Sequence, residues 1–195
     1  MPSSFSTERT PVDLQPVLEG DLIRLRPLRP EDFDDLYAVA SDPLIWEQHP
    51  VSDRHLEHVF REFFRTGLES GGALVAVDRS DGRVIGSSRF HGHDPARSEI
   101  EIGWTFLARR CWGGRYNGEM KRLMLDHAFG FVARVIFVIG PENRRSRRAC
   151  EKIGGELIGS RREESGRESV VYGLARADYL SRRSTRHADS QTRGG

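Results

Sequence analysis

The turn that decides the fold is Arg109-Arg110-Cys111-Trp112-Gly113-Gly114-Arg115-Tyr116. Before it, apolar and polar residues alternate over 99–104, which predicts a strand. After it, apolar residues recur at helical spacing over 116–131, which predicts a long helix. A second strand is predicted at residues 135–139. Because the turn, the helix and the second strand follow the first strand directly, the two strands require a parallel crossover.

The segments on either side of this crossover complete a mixed α/β architecture. Upstream, a short strand and two helices precede strand-like runs that turn at Asp81-Gly82, a hairpin signal. Downstream, another helix precedes two strands that a turn at Ser165-Gly166 would join as a hairpin. Since hairpins pair antiparallel, we predict a mostly antiparallel sheet of about seven strands, flanked by about four helices, around one central β-turn-α-β crossover.

The chain has 195 residues, which is enough for one domain with a cleft. We place this domain at residues 18–180, between a flexible N-terminal extension at 1–17 and a flexible Arg-rich C-terminal tail at 181–195. With 37% hydrophobic and 30% charged residues, the composition is that of an ordinary soluble globular protein.

The charge balance and the hydropathy argue against two classes of partner. A net charge of +1 gives no polyelectrolyte character, so a nucleic-acid partner is not expected. No window approaches the roughly 20 apolar residues of a membrane span, so no membrane partner is expected. The N-terminus lacks the apolar core of a secretory signal, and we expect a cytoplasmic protein.

Neither metal chemistry nor acyl-cysteine chemistry is predicted. Cys111 and Cys150 form no disulfide framework and have no histidine partner in the sequence. His91 and His93 have the spacing of a metal-binding pair, but no third ligand follows at a motif spacing.

The turn at residues 109–116 has the features of a phosphate-binding loop. A helix N-terminus offers unpaired N–H groups and the positive end of its dipole, and Gly113 and Gly114 would let a phosphate approach the backbone. The alternative is a tight strand-to-helix connection with no ligand. The turn lacks the Gly-Lys-Ser/Thr of a P-loop and the G-x-G-x-x-G of a dinucleotide fold.

Three segments resemble the GNAT acetyltransferases, and within them the branch of ribosomal-protein alanine N-acetyltransferases. Residues 101–104 match the E-I-G-aromatic strand of that branch. Residues 112–119 are similar to its W-G-x-G-Y-x-x-E segment. Residues 143–154 closely resemble N-x-x-S-x-x-A-x-E-K-x-G. One departure from the family is Arg115, which stands where the pyrophosphate loop Q/R-x-x-G-x-G/A has Gly or Ala.

The resemblance implies an acetyl-CoA-dependent N-acetyltransferase, with acetyl-CoA as co-substrate and no metal. The acetyl group would pass from the thioester to a primary amine, on a protein N-terminus or a small molecule, by direct attack in a ternary complex. A homodimer is common among such enzymes. The alternatives are a catalytically weak acyl-CoA-binding regulator, an amine-antibiotic acetyltransferase, or a nucleic-acid binder that uses Arg144, Arg145, Arg147 and Arg148.

Acyl transfer to an amine requires a base, a donor to the developing oxyanion and stabilisation of the leaving thiolate. The resemblance makes Glu101 the candidate base, with Glu99 in reserve because it shares a strand face by period two. Ser146 is the candidate that stabilises the thiolate, and Asn143 contacts the cofactor or caps a helix. The resemblance also implies that the end of this strand, around Trp104 to Leu107, separates from its neighbour and offers backbone N–H groups to the thioester carbonyl and the pantetheine arm.

The resemblance also implies which residues contact the two substrates. The expected cofactor contacts are Phe106, Leu107, Arg110, Trp112, Gly113, Gly114, Arg115, Tyr116, Asn117, Asn143 and Ser146. The expected acceptor contacts are Trp46, His49 and Phe90. For Trp46, closure of the core is an equal alternative.

Overall fold

A single eight-stranded sheet, in the order β1-β2-β3-β4-β5-β6-β8-β7, organises the chain. The computed structural model describes residues 12–163 and 166–192, with side chains to residue 185. The strands are β1 (Leu18–Glu19), β2 (Ile23–Pro27), β3 (Ala73–Asp78), β4 (Val84–Asp94), β5 (Glu99–Leu107), β6 (Arg134–Ile139), β7 (Glu156–Arg162) and β8 (Glu168–Ala175). The α-helices are α1 (Phe33–Ala40), α2 (Glu57–Glu69), α3 (Arg115–Ala128), α4 (Arg144–Ile153) and α5 (Arg176–Thr192).

The predicted sheet is confirmed in type. Strands β5 and β6 pair in parallel, and the other neighbouring strands pair antiparallel. The parallel pair is joined through α3, as the β-turn-α-β crossover requires. The eighth strand is the two-residue β1, which is too short to produce a sequence period.

Described residues near both predicted domain limits contact the core. At the C-terminal end, the predicted limit at residue 180 falls inside α5, whose Tyr179 is buried against Phe129. At the N-terminal end, Leu14 packs on the core, and the carbonyl oxygen of Asp13 accepts a hydrogen bond from Nε2 of His127. Residues 1–11 and 193–195 of the predicted extensions lie outside the described residues, as does Ser165 of the predicted hairpin turn.

The sheet has an apolar core on each face. On one face, Met120 and Met124 of α3 pack at 0% exposure against sheet residues such as Ile100. On the other face, Phe60 of α2 packs edge-on against Phe106 of β5, with ring centroids 6.0 Å apart. Since β5 is covered on both faces, its side chains are apolar or paired, and its position is held from both sides.

Two irregularities open the sheet at its centre. The β5–β6 pairing covers only three residue pairs, ending at Glu101 and Ile136, although β5 continues to Leu107 and β6 to Ile139. On its other edge, β5 carries a bulge, because Ser87 pairs with Phe106 but Arg89 pairs with Gly103. Two residues of β5 therefore oppose one of β4, which bends β5 away from β6.

The backbone of β5 has an unusual conformation at the bulge. Trp104 has a φ of 51°, a conformation that non-glycine residues rarely adopt outside turns. Beyond Glu101, the edge of β5 that faces β6 carries backbone groups with no strand partner. A splayed strand end with free backbone groups is what the family resemblance implied for this segment.

Candidate active site

A cleft of about 1200 Å³ lies between the separated ends of β5 and β6. The first turn of α3 and the inner face of α4 form one end, and the loop before α2 and the β7–β8 hairpin form the other. Small-molecule sites usually enclose roughly 300–1,000 Å³, so this cleft has room for two substrates. Among the described residues, no three His, Cys, Asp or Glu side chains gather as a metal site, and no helix is long and apolar enough to cross a bilayer.

The predicted phosphate turn lines the cofactor end of the cleft. Gly113 and Gly114 have φ angles of 98° and 127°, which strongly favour glycine, and Gly114 is the N-cap of α3. A Cβ built on either glycine would meet no atom within 4 Å, so the turn is open toward the cleft. With Asn117 beside it, this helix N-terminus is a site for a negatively charged phosphate.

Three predicted cofactor contacts lie elsewhere. Nη1 of Arg110 lies 2.9 Å, and the hydroxyl of Tyr116 3.1 Å, from Oδ2 of Asp78 on β3. Burial would raise the pKa of Asp78, but hydrogen bonds from Ser80, Arg110 and Tyr116 outweigh it and lower the pKa to about 2. Arg115 is exposed in the first turn of α3, outside the cleft wall. Arg110 and Tyr116 therefore anchor the turn to the sheet instead of lining the cleft.

The second predicted motif brings α4 to the cleft. Oδ1 of Asn143 accepts a hydrogen bond from the backbone N–H of Ser146 at 3.1 Å, so Asn143 caps the helix. Both residues line the cleft, and so does Cys150 one turn after Ser146. Gly154 ends the helix with a φ of 100° in the left-handed region. Capping and cleft lining are thus combined in Asn143.

Of the two candidate carboxylates, the structure brings Glu101 to the cleft. Glu101 is 6% exposed, and its Oε2 lies 3.2 Å from Nη2 of Arg161. Burial raises the pKa of Glu101, and Arg161 partly offsets this rise. Glu99 lies where β5 and β6 are still paired, 3.7 Å from the guanidinium of Arg134 and outside the cleft wall.

Three of the expected cofactor contacts are large apolar or aromatic side chains. Phe106, Leu107 and Trp112 all line the cleft. Phe106 and Leu107 come from the splayed end of β5, and the indole Nε1 of Trp112 donates to the carbonyl oxygen of Leu107 at 3.0 Å. This bond holds the turn against the strand.

The acceptor end contains two of the three predicted residues. Trp46 and His49 line the cleft, and Trp46 is also a core residue, 2% exposed, whose Nε1 donates to Ala40. Phe90 does not reach the cleft. It is 0% exposed on the opposite face of the sheet, where its ring packs against His127. Because successive strand residues face opposite sides, His91 lines the cleft instead.

Lys121 lines the cleft although the sequence analysis did not select it. Its side chain is buried on α3 and contacts both separated strands. Nζ donates to Oγ1 of Thr105 on β5 at 2.7 Å and lies 5.5 Å from the ring centre of Phe137 on β6. Burial lowers the pKa of Lys121 to about 8. The sequence did mark this residue by its rarity, because it is one of two lysines in a chain with 30 basic residues.

Arginines also line this cleft, and most have partners within the protein. The guanidinium of Arg145 lies 4.0 Å from the ring centre of Trp112, and its Nη2 donates to Ile45 at 2.6 Å. Arg147 donates to Tyr172 and to Pro141. Two of the four arginines of the basic run on α4 therefore make contacts within the domain, while Arg144 and Arg148 line the cleft.

Comparisons with known proteins agree with this geometry. The family model described as acetyltransferase (GNAT) domain matches residues 23–156. No curated protein matches the chain. The chain is similar in structure to an acetyltransferase from Agrobacterium tumefaciens, with 25% identity, a TM-score of 0.64, and coverage of 83% of this chain and 95% of that one.

Two further structures share the fold. A GCN5-related N-acetyltransferase from Brucella melitensis has 22% identity and a TM-score of 0.74, over 87% of this chain and 83% of that chain. Mycobacterium smegmatis RimJ in complex with CoA-disulfide has 20% identity and a TM-score of 0.60, over 80% of this chain and 83% of that chain. With its domain match, its splayed sheet and its glycine turn, this chain belongs to the GNAT acetyltransferase family.

Proposed function

We propose that this protein transfers the acetyl group of acetyl-CoA to a primary amine, on a protein N-terminus or a small molecule, by direct attack in a ternary complex. One observation carries the proposal. The buried carboxylate of Glu101 and the open glycine turn before α3 line the same cleft, on either side of the point where β5 and β6 separate. A base and a phosphate site in one cleft suit a CoA thioester and an amine.

The cofactor end has the chemistry that CoA requires. The N-terminus of α3 suits the pyrophosphate, and the unpaired edge of β5 suits the amide groups of the pantetheine arm. Arg144, Arg148 and Lys152 line the cleft along α4 and suit the remaining phosphate. Acetyl-CoA supplies the activated acetyl group, and the protein supplies orientation and charge.

The reaction uses groups of this chain at three points. Glu101 accepts a proton from the attacking amine, directly or through water, and burial favours this by raising its pKa toward neutrality. Backbone N–H groups on the free edge of β5 stabilise the charge that develops on the thioester oxygen. Ser146, on the cleft face of α4, stabilises the departing thiolate.

The competing function of an acyl-CoA-binding regulator loses its main argument. The regulator hypothesis relied on the presence of Arg115 where the pyrophosphate loop of the family has a small residue. Arg115 is exposed at the first helical position and does not line the cleft, so its side chain leaves the glycine turn open. We therefore propose catalysis and not binding alone.

The test combines calorimetry with acetyl-CoA and a thiol-release assay on amines and N-terminal peptides. We expect micromolar binding and turnover, with kcat lowered about 100-fold or more in Glu101→Gln. Glu99→Gln is the matched control, because it removes a neighbouring buried carboxylate of the same strand outside the cleft. Binding without turnover on any amine, or equal activity of Glu101→Gln and the wild type, would reject the proposal.

A further inference from the structure

At the acceptor end of the cleft, Arg54 is a cation with no carboxylate partner among the residues that the structure describes. Its guanidinium lies against two aromatic rings that touch each other, 4.7 Å from the centre of Phe63 and 5.5 Å from the centre of Trp46. Within residues 12–163 and 166–192, no carboxylate oxygen lies within 4.0 Å of it. Burial and the nearby Arg167 and Arg89 lower the pKa of Arg54 to about 10.

Arg54 contacts the ring of His49 and not an anion. Its Nη1 lies 3.0 Å from Nε2 of His49, and the backbone N–H of Val51 donates to Nδ1 of the same ring at 2.9 Å. A neutral imidazole has one acceptor nitrogen, and both of these neighbours are donors. A protonated imidazole has no acceptor nitrogen. Burial and Arg54 lower the pKa of His49 to about 3. At most one of the two contacts is a hydrogen bond.

The two described carboxylates that line this end of the cleft already have partners. Glu101 is paired with Arg161 at 3.2 Å. Glu163 accepts a hydrogen bond from the hydroxyl of Ser169 and lies 4.0 Å from Nε of Arg167. Among the described residues that line this end, Arg161 lies beside Glu101, Arg167 beside Glu163 and Arg162 beside Glu168, whereas Arg54 lies beside no carboxylate.

We infer that the acceptor amine carries an anionic group, a carboxylate or a phosphate, which Arg54 binds while the amine lies near Glu101. The inference rests on the proposed function, because it names the substrate class of that site. A planar guanidinium that rests on two aromatic rings is preorganised for two parallel hydrogen bonds to such an oxyanion. The anion replaces His49, whose remaining acceptor nitrogen then serves Val51.

The test compares acceptors that differ in the anionic group. One arm uses phosphoethanolamine and ethanolamine, and a second uses peptide amides with Asp or Asn after an N-terminal Ala. Each rate is divided by the fraction of neutral amine. We expect kcat/KM to be about 10- to 100-fold higher for the anionic member of at least one pair. The arm that responds identifies whether the anion belongs to a small molecule or to a peptide.

Variants of Arg54 test the residue itself. Arg54→Gln should reduce the preference to within about threefold and leave acetyl-CoA affinity unchanged, and Arg54→Lys should retain part of it. Arg61→Gln is the control, because Arg61 lies on the next helix in an exposed pair with Glu57, outside the cleft. A wild type that uses neutral amines equally well, or a preference that Arg54→Gln leaves intact, overturns the inference and leaves the proposed function standing.

Failure of the proposed function has a different signature. If acetyl-CoA binds and no amine is acetylated, calorimetry of phosphoethanolamine and ethanolamine against the protein–CoA complex decides the anion site directly. Tighter binding of phosphoethanolamine that Arg54→Gln removes supports the inference, and equal binding of the two amines refutes it.

Discussion

Lys121 on α3 reaches Thr105 on β5, with Nζ 2.7 Å from Oγ1, at the point where β5 has left β6. Thr105 in turn shares a hydrogen bond with Ser88 of β4 at 2.7 Å. Lys121 is 8% exposed, and no carboxylate among the described residues lies within 4.0 Å of its Nζ. The cleft thus contains a buried amine that is held by a neutral hydroxyl.

Lys121→Met should stabilise the protein at pH 7, by about 1–3 kcal/mol. The folded-state pKa of about 8 lies below the ordinary value of 10.5, so burial penalises the charged form. That penalty is fully present below pH 8 and disappears as the pH rises toward 10.5. Denaturant unfolding should therefore show the wild type gaining stability over this window and the variant not. Parallel pH dependence of the two proteins would contradict the assignment.

Asp78→Asn should loosen the phosphate turn and destabilise the fold by about 1–2 kcal/mol, because Arg110 and Tyr116 would lose their shared carboxylate. The folded-state pKa of about 2 lies below the ordinary 3.8, so this contribution is present above pH 3.8 and is lost as the pH falls toward 2. Acid unfolding curves measure it. Asp81→Asn, which removes an exposed carboxylate 3.7 Å from Arg110, is the control and should change stability little.

Arg161→Gln should move the acid limb of the kcat/KM profile to higher pH, by up to about one unit. Burial raises the pKa of Glu101, and Arg161 now holds it down, so removal of the arginine lets the pKa rise further. The base would then be protonated over a wider range below neutrality. Arg162→Gln, whose arginine is exposed and paired with Glu168, should leave the limb in place. An unchanged profile in Arg161→Gln would argue that Glu101 is not the base.

Gly114→Ala should weaken acetyl-CoA binding about tenfold or more and lower the melting temperature. A φ of 127° is outside the range of an L-residue, so alanine must rearrange the cap of α3 where the phosphates would bind. Gly71→Ala is the matched control, since Gly71 also has a positive φ of 61° and an open Cβ position, far from the cleft. If both variants bind acetyl-CoA as the wild type does, the turn is a connection and not a phosphate site.

Local patterns in the sequence were sufficient to predict the β-turn-α-β crossover and the residues that begin or end its neighbouring helices. Residues 99–104 and 116–131 carry their own periods, and glycine pairs and caps such as Gly113, Asn143 and Gly154 act within a few residues. Because these signals depend on neighbours along the chain, the sequence alone predicts these elements and the cleft-lining motifs.

Contacts between distant segments decided the rest. Phe90 faces away from the cleft and its neighbour His91 lines it, because the sheet register, with its bulges, sets which side of β4 faces the cleft. Arg110 and Tyr116 turn to Asp78, more than 30 residues away, and Arg54 reaches the acceptor end from a loop. Burial, charge pairing and register arise only when strands and helices pack, so no local period encodes them. Local residue patterns were therefore enough for the central elements and their order, but not for β1 or α5, and packing specified which side chains meet in the cleft.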